Sequence, residues 1–131
     1  MDLYLDNIID HGQNPRNFGE PLKPADIDYE DDNPFCGDHL HLTARLDEHN
    51  RVIAVSWEGQ GCTISQASAS ILGEEILGKT LEELRSFSRE DLLELLGIDL
   101  SPTRLKCALL SLKVLKAGAY GLHNWPGERD E

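Results

Sequence analysis

The chain has 131 residues, 40% hydrophobic and 27% charged, which is the composition of one globular domain with its own core. No stretch approaches the ~20 consecutive apolar residues of a membrane span, and the start MDLYLDNIID, with three acids and no base, is not a signal peptide. The net charge of -12 argues against a general nucleic-acid binder, so we expect a single cytoplasmic domain over residues 1–131 with neither nucleic acid nor membrane as partner.

The first half of the chain predicts a helix followed by a small antiparallel sheet. Apolar residues at helical spacing predict a helix over 3–11, and the prolines of QNPRNFGEPLKP make 12–24 a loop. The alternation in HLHLTARL predicts a half-buried strand over 39–46, and RVIAVSWEG predicts the returning strand of a hairpin, with Ile53, Val55 and Trp57 on one face. DIDY at 26–29 adds a third strand, inside a segment whose acids we expect to be solvated.

The second half of the chain is helical. SQASASILGEEILG predicts a helix from residue 63 that ends at Gly78. Thr80 and Ser88 each begin a capping box, TLEE and SRED, ahead of two further helices. Ser101 and Pro102 are the N-cap and first residue of a last helix over 102–119. A small antiparallel sheet followed by helices defines an α+β domain. The expected apolar stripe of the last helix is Leu105, Ala108, Leu109, Leu112 and Leu115.

Three cysteines stand at positions 36, 62 and 107, an odd number with no close pairing. In a reducing compartment they remain thiols available for metal or sulfur chemistry. Cysteine is also among the residues most often buried, so each one taken alone could be a core residue. Their surroundings differ, since Cys36 lies in the loop NPFCGD, Cys62 lies where a strand ends and a helix begins, and Cys107 lies in the second turn of the last helix.

The surroundings of these cysteines favour metal chemistry. The helix start at Cys62 and the positive charge of Arg104, one turn before Cys107, both favour a thiolate. Three thiolates together with Asp38 make the four donors of a tetrahedral site. Sulfur donors select zinc, copper(I) or iron–sulfur clusters. A carboxylate among them indicates a site able to exchange a ligand, because permanently structural zinc usually takes only Cys and His.

Other metal sites are less well supported by the sequence. There is no CxxC pair, which zinc ribbons and fingers require, and no H-x-E with P-C-x-x-C, which zinc deaminases require. His39 and His41 alternate on one strand face and could be ligands, although outward polar positions on a half-buried strand explain them as well. His11, His49 and His123 lie in loops or at helix ends and carry no signal.

Three motifs, NPFCGD, GQGCTISQASAS and LSPTRLKC, resemble the cysteine motifs of the U-type iron–sulfur cluster assembly proteins, the SufU/IscU family. The resemblance extends in order from LYLDNIIDH to the last helix. It implies the SufE/NifU-like fold, a three-stranded antiparallel sheet packed against helices. It also implies zinc bound by Cys36, Asp38, Cys62 and Cys107. The implied partners are a SufS-like cysteine desulfurase, which holds its own pyridoxal phosphate and delivers persulfide sulfur, and downstream iron–sulfur assembly proteins.

Two branches of this family differ near the third cysteine. The IscU branch has a histidine directly before that cysteine and an LPPVK stretch that an Hsp70 chaperone binds, where this chain has Lys106 and LSPTR. The SufU branch has Arg-x-Lys-Cys, which residues 104–107 reproduce. That branch typically carries an insertion that the 44 residues between Cys62 and Cys107 lack. We weigh ligand chemistry above loop length, because a loop can be lost without touching the site, and expect closer kinship to SufU.

Two functions and one structural role fit these residues. In the first, a zinc-dependent sulfurtransferase, the desulfurase displaces one thiolate from zinc, and that sulfur, assigned to Cys36, attacks the persulfide. In the second, a scaffold, the same donors bind iron and assemble a [2Fe–2S] cluster that passes to apo-proteins. The third, a structural zinc module, does not explain a labile carboxylate.

Overall fold

A computed structural model of the chain describes residues 3–33 and 37–121. The described elements are α1 (Leu3–Gln13), β1 (Ile27–Asn33), β2 (Asp38–Leu46), β3 (Val52–Gln60), α2 (Thr63–Ile76), α3 (Leu81–Ser86), α4 (Arg89–Leu96) and α5 (Pro102–Tyr120). The α+β class, the third strand and the last helix are thereby confirmed. Within the described residues, no helix combines the length and the apolar composition needed to cross a membrane.

The sheet has the order β1-β2-β3, and both strand pairs are antiparallel. The predicted alternation of β2 is confirmed, because Leu40, Leu42 and Ala44 are fully buried. Helix α5 packs against β1, β2 and α2, and so lies at the centre of the domain. The predicted stripe of α5 is confirmed at Ala108, Leu112 and Leu115, but Leu105 and Leu109 are only partly buried. The central position of the helix explains why Leu110 and Val114 are buried as well.

The predicted faces of β3 are wrong at one residue. Ile53 is 55% exposed, whereas Val52 and Val55 are buried. The cause is a β-bulge, because Arg45 pairs with Ala54 and the next residue of β2 pairs with Val52, which leaves Ile53 without a partner across the hairpin. One extra residue reverses the side-chain alternation, and the sequence alternation alone does not signal it.

The predicted loop 12–24 covers β3 and the outer face of the sheet. Trp57 donates its backbone N–H to Asn17 O at 2.7 Å and accepts at its carbonyl from Gly19 N–H at 2.9 Å. The hydroxyl of Ser56 donates to Glu20 O at 2.8 Å. These bonds satisfy part of an otherwise open strand edge. They also explain why the outward residue Ser56 is buried like its neighbour Trp57.

The predicted helix starts are confirmed. Thr80 and Ser88 each form a complete capping box, with Glu83 and Asp91 as the reciprocal partners. Ser101 caps α5, and its hydroxyl accepts from Arg104 N–H at 3.4 Å. These local bonds fix where α3, α4 and α5 begin. The start of α5 in turn fixes the depth at which Cys107 enters the core.

Candidate metal centre

Asp38 is the first residue of β2, where it pairs with Asn33 across the end of the sheet. Its residue surface is only 1% exposed. The oxygen Oδ1 accepts the backbone N–H of Cys62 at 3.0 Å. The other oxygen, Oδ2, is buried and has no hydrogen-bond partner among the described residues. Burying a carboxylate with one oxygen unbonded costs free energy unless a cation or a hydrogen-bond donor lies next to that oxygen.

Cys62 is the N-cap of α2, with the extended backbone that this position requires. Its residue is exposed, and its side chain makes no cap hydrogen bond. Its carbonyl accepts from the Ser65 hydroxyl at 3.0 Å and from Gln66 N–H at 3.1 Å. The sulfur therefore lies at the positive end of α2.

Cys107 lies in α5 and is 3% exposed. One donor atom each from Asp38, Cys62 and Cys107 lies within 4.8 Å of the others. The first residue of β2, the N-cap of α2 and a buried position in α5 thus bring together three of the four predicted ligands, which are 24 and 45 residues apart along the chain. Their role as ligands stays a prediction. The fourth predicted ligand, Cys36, belongs to the segment 34–36, which is outside the described residues.

The donor set fits a bound metal ion. Two sulfurs and a carboxylate oxygen are donors that zinc accepts, and they suit an iron–sulfur cluster equally well. The idle oxygen of Asp38 is the observation that favours a cation here, since the described residues offer it no donor. A dication at this point would compensate a buried carboxylate that the described residues satisfy at Oδ1 alone.

Sequence reasoning missed the residues that support this set. Gly61, Ser65 and Gln66 shape the turn that enters α2, and Gln66 Nε2 donates to Gly61 O at 3.0 Å. The available signal was the pair of glycines, one residue apart, in GQGC directly before the helix. Its meaning depends on Asp38, a residue 23 positions earlier in the chain, which no local pattern reveals.

None of the histidines that the structure describes belongs to the group of donor atoms formed by Asp38, Cys62 and Cys107. His39 and His41 lie on the outer face of the sheet and pair with carboxylates: Asp32 and Glu30 for His39, Asp28 and Glu58 for His41. This is the outward polar position that the alternation predicts. His11 is buried, its Nδ1 lies 2.7 Å from the Ser70 hydroxyl, and it joins α1 to α2. His49 is exposed, and His123 lies outside the described residues.

His41 gives a testable pH dependence. Burial lowers the pKa of His41, but hydrogen bonds to Asp28 and Glu58 outweigh it, so the pKa is raised above its ordinary value. Such a histidine stabilises the fold fully below about pH 6.5 and loses that contribution as the pH rises through its folded pKa. We expect His41→Gln to lower the free energy of unfolding at pH 6, and to do so less at pH 9.

Urea unfolding of the metal-loaded protein at both pH values measures this difference, with His49→Gln, whose side chain is 74% exposed, as the matched control. Comparing each variant with wild type at the same pH cancels the pH dependence of metal binding. A His41→Gln effect that grows toward pH 9 would contradict the assignment.

Comparison with known proteins agrees with this fold. The NifU-like N terminal domain matches residues 3–127. The zinc-dependent sulfurtransferase SufU of Bacillus subtilis is 38% identical, and the match covers 88% of both chains. The iron-sulfur cluster assembly scaffold protein IscU of Escherichia coli is 30% identical, over 87% of this chain and 89% of its own. The SufU alignment spans 133 positions, more than the 131 residues here, so SufU contains residues that this chain lacks.

Solved structures show the same architecture. A putative iron-sulfur cluster assembly scaffold protein for the SUF system from Fervidobacterium islandicum superimposes with a TM-score of 0.75 at 27% identity, over 87% of this chain and 94% of that one. The N-terminal NifU-like protein of Brucella abortus, at 18% identity and a TM-score of 0.72 over 90% of this chain and 92% of its own, supports the fold alone. The molecule is a small α+β domain with a sulfur- and carboxylate-lined centre. The chain belongs to the U-type iron–sulfur cluster assembly proteins, the family of the NifU-like N terminal domain.

Proposed function

We propose that this chain is a zinc-dependent sulfur carrier that accepts persulfide sulfur from a cysteine desulfurase in the cytoplasm and passes it to downstream iron–sulfur assembly proteins. The observation that carries the proposal is the buried carboxylate of Asp38, which has one oxygen without a hydrogen-bond partner among the described residues and lies beside the sulfurs of Cys62 and Cys107. The name of the B. subtilis relative supports the zinc and the sulfur transfer. Lys106 also supports it, because it replaces a histidine that the scaffold branch offers as a ligand.

The proposal gives the site residues two roles, binding of the metal ion and acceptance of sulfur. Cys62, Cys107, Asp38 and Cys36 would hold the ion, and bound zinc would keep the sulfurs ionised near neutral pH. Asp38 also fixes the start of α2 through Cys62 N–H. Because Asp38 is buried and bonded in this way, it serves as a fixed ligand better than as a labile one.

Sulfur transfer needs one thiolate able to reach the persulfide of the partner. We assign it to Cys36. Its thiolate attacks the terminal sulfur of the desulfurase persulfide, forming a new S–S bond on Cys36. The S–S bond of the desulfurase breaks at the same time, and its catalytic cysteine leaves as a thiolate. One sulfur atom moves, and no external oxidant or reductant is needed.

A scaffold role is the second candidate, favoured by the IscU relatives and by a donor set that iron accepts equally well. The two functions separate in protein purified without oxygen. Sulfur transfer requires one zinc per chain, no visible absorption, and a faster desulfurase turnover when the protein is added. Brown protein with iron and acid-labile sulfide would support the scaffold instead and contradict the sulfur-carrier proposal.

Replacing Asp38 tests its part in this function. We expect Asp38→Ala to stay folded but to bind zinc at least about 10-fold more weakly, because an oxygen ligand and the bond to Cys62 N–H are both lost. Asp38→Asn is the matched variant, since it keeps an oxygen for that N–H and removes the charge. Stimulation of the desulfurase should fall in both variants. A wild-type rate in Asp38→Ala would remove Asp38 from the mechanism.

A further inference from the structure

We propose that Gly61 is a positioning residue of the metal centre, because its missing side chain leaves the space in which the Asp38 carboxylate meets Cys62. This inference rests on the donor set of the proposed function and identifies what holds one member of it in place. Gly61 lies directly before Cys62, in the short connection between β3 and α2.

The space at Gly61 is too small for any side chain. A Cβ built on Gly61 would lie 2.6 Å from Asp38 Oδ1 and 2.3 Å from Ser65 Oγ. Real Cβ atoms essentially never come within 3.0 Å of such atoms, so alanine forces both groups to move. Backbone conformation is not the reason for the glycine, since Gly61 is not among the residues with positive φ. Alanine at this position therefore acts through these contacts alone.

The Asp38 backbone cannot retreat from such a side chain. Asp38 pairs with Asn33 of β1 on one side. On its other side, β2 and β3 are in close contact. That contact is visible at Gly59, where an added Cβ would lie 2.1 Å from His39 O. Gly61 itself is held by Gln66 Nε2, which donates to its carbonyl.

The side chains of Ser65 and Asp38 can rotate away from the added Cβ, but the two rotations break different hydrogen bonds. The Ser65 hydroxyl can turn away at the loss of its 3.0 Å bond to Cys62 O. The Asp38 carboxylate can turn away only by breaking the 3.0 Å bond from Cys62 N–H. With Gly61→Ala both must move, so Oδ1 leaves the Cys62 N–H and the carboxylate is displaced from the two sulfurs.

Zinc binding tests the inference directly. Competition with a chromophoric chelator gives the zinc affinity of wild type, Gly61→Ala, and the control Gly19→Ala, whose added Cβ would meet nothing within 4 Å. We expect about 10- to 100-fold weaker binding for Gly61→Ala, the loss typical of removing a group that orients a ligand. Gly19→Ala should bind as wild type does. Co²⁺, used as a spectroscopic probe, should show a changed absorption band in Gly61→Ala alone, because its donor set has lost an oxygen.

A double-mutant cycle assigns the effect to Asp38. In the Asp38→Ala background the carboxylate is absent, so Gly61→Ala should cause little further loss of zinc affinity. Wild-type affinity in Gly61→Ala, or an equal fold-loss in both backgrounds, would overturn the inference. If Gly61→Ala alone does not fold, the double variant should fold as Asp38→Ala does, and a double variant that also fails to fold would overturn it too.

A measurement without metal separates this inference from the proposed function. In metal-free protein, hydrogen exchange of the Cys62 amide should be slow in wild type and faster in Gly61→Ala, because the bond to Asp38 Oδ1 is broken. Equal exchange rates would contradict the positioning role. A wild-type protein that binds no zinc would contradict the proposed function while leaving this exchange comparison decisive for Gly61.

Discussion

Removing the metal with a chelator is expected to lower the melting temperature by about 10 °C or more. A ligand held at about 1,000 times its Kd stabilises the folded state by ~4 kcal/mol, and in a domain of this size each kcal/mol shifts the melting temperature by several degrees. The physical cause is the buried Asp38 carboxylate, which lies beside two cysteine sulfurs and whose Oδ2 has no hydrogen-bond partner among the described residues. A bound cation would offset the negative charge that carboxylate and thiolate ligands carry, and chelation would remove that stabilisation.

Differential scanning calorimetry of loaded, chelated and reloaded protein measures this shift. Added zinc should restore the original melting temperature, which shows that chelation has not damaged the chain. Cys107→Ser, which lacks one donor, should respond much less to the chelator. An unchanged melting curve after verified metal removal would show that the fold does not depend on the metal.

Replacing Cys36 is expected to stop sulfur acceptance, so that desulfurase turnover falls to the rate of the desulfurase alone. The sequence favours this cysteine, because Pro34 and Gly37 flank it in a segment predicted to be a loop, and Gly37 has a φ of 71°. The structure weakens the case for Cys107, which is 3% exposed inside α5. Cys62 remains an alternative sulfur acceptor, because that residue is exposed.

The three Cys→Ser variants, each mixed with the desulfurase and free cysteine, separate these thiols. Intact mass followed by peptide mass locates the added sulfur in each variant. Wild type, Cys62→Ser and Cys107→Ser should carry it on the peptide that contains Cys36. Persulfide on Cys62 or Cys107 at the wild-type rate, in a folded and metal-loaded Cys36→Ser protein, would overturn the assignment.

Much of this fold follows from short-range signals in the sequence. The alternation of Leu40, Leu42 and Ala44 predicts β2 because a strand turns successive side chains to opposite faces. Thr80 and Ser88 predict helix starts because a capping box lies within four consecutive residues. Ile53 escapes this reasoning, since its exposure depends on how two strands pair, and a one-residue bulge leaves no mark on the alternation of either strand alone.

The candidate site, like the fold, could be predicted from the sequence only in part. Residue types and motif resemblance select Asp38, Cys62 and Cys107, and the structure brings these three together. Neither the burial of Asp38 nor its bond to Cys62 N–H could be predicted, because both depend on the end of the sheet meeting the start of α2. The cramped space at Gly61 has the same origin.

The central position of α5 has a consequence for biosynthesis. Chains leave the ribosome with their N-terminal residues first, so the sheet and α2 emerge before α5 does. Until then the inner face of β2 lacks one of its covering helices, and Asp38 and Cys62 lack the sulfur of Cys107. A chain interrupted before α5 can therefore neither complete its core nor assemble the donor set. Under the proposed function, metal capture would mark a finished chain, while an unfinished one would present open strands and exposed leucines to proteases and chaperones.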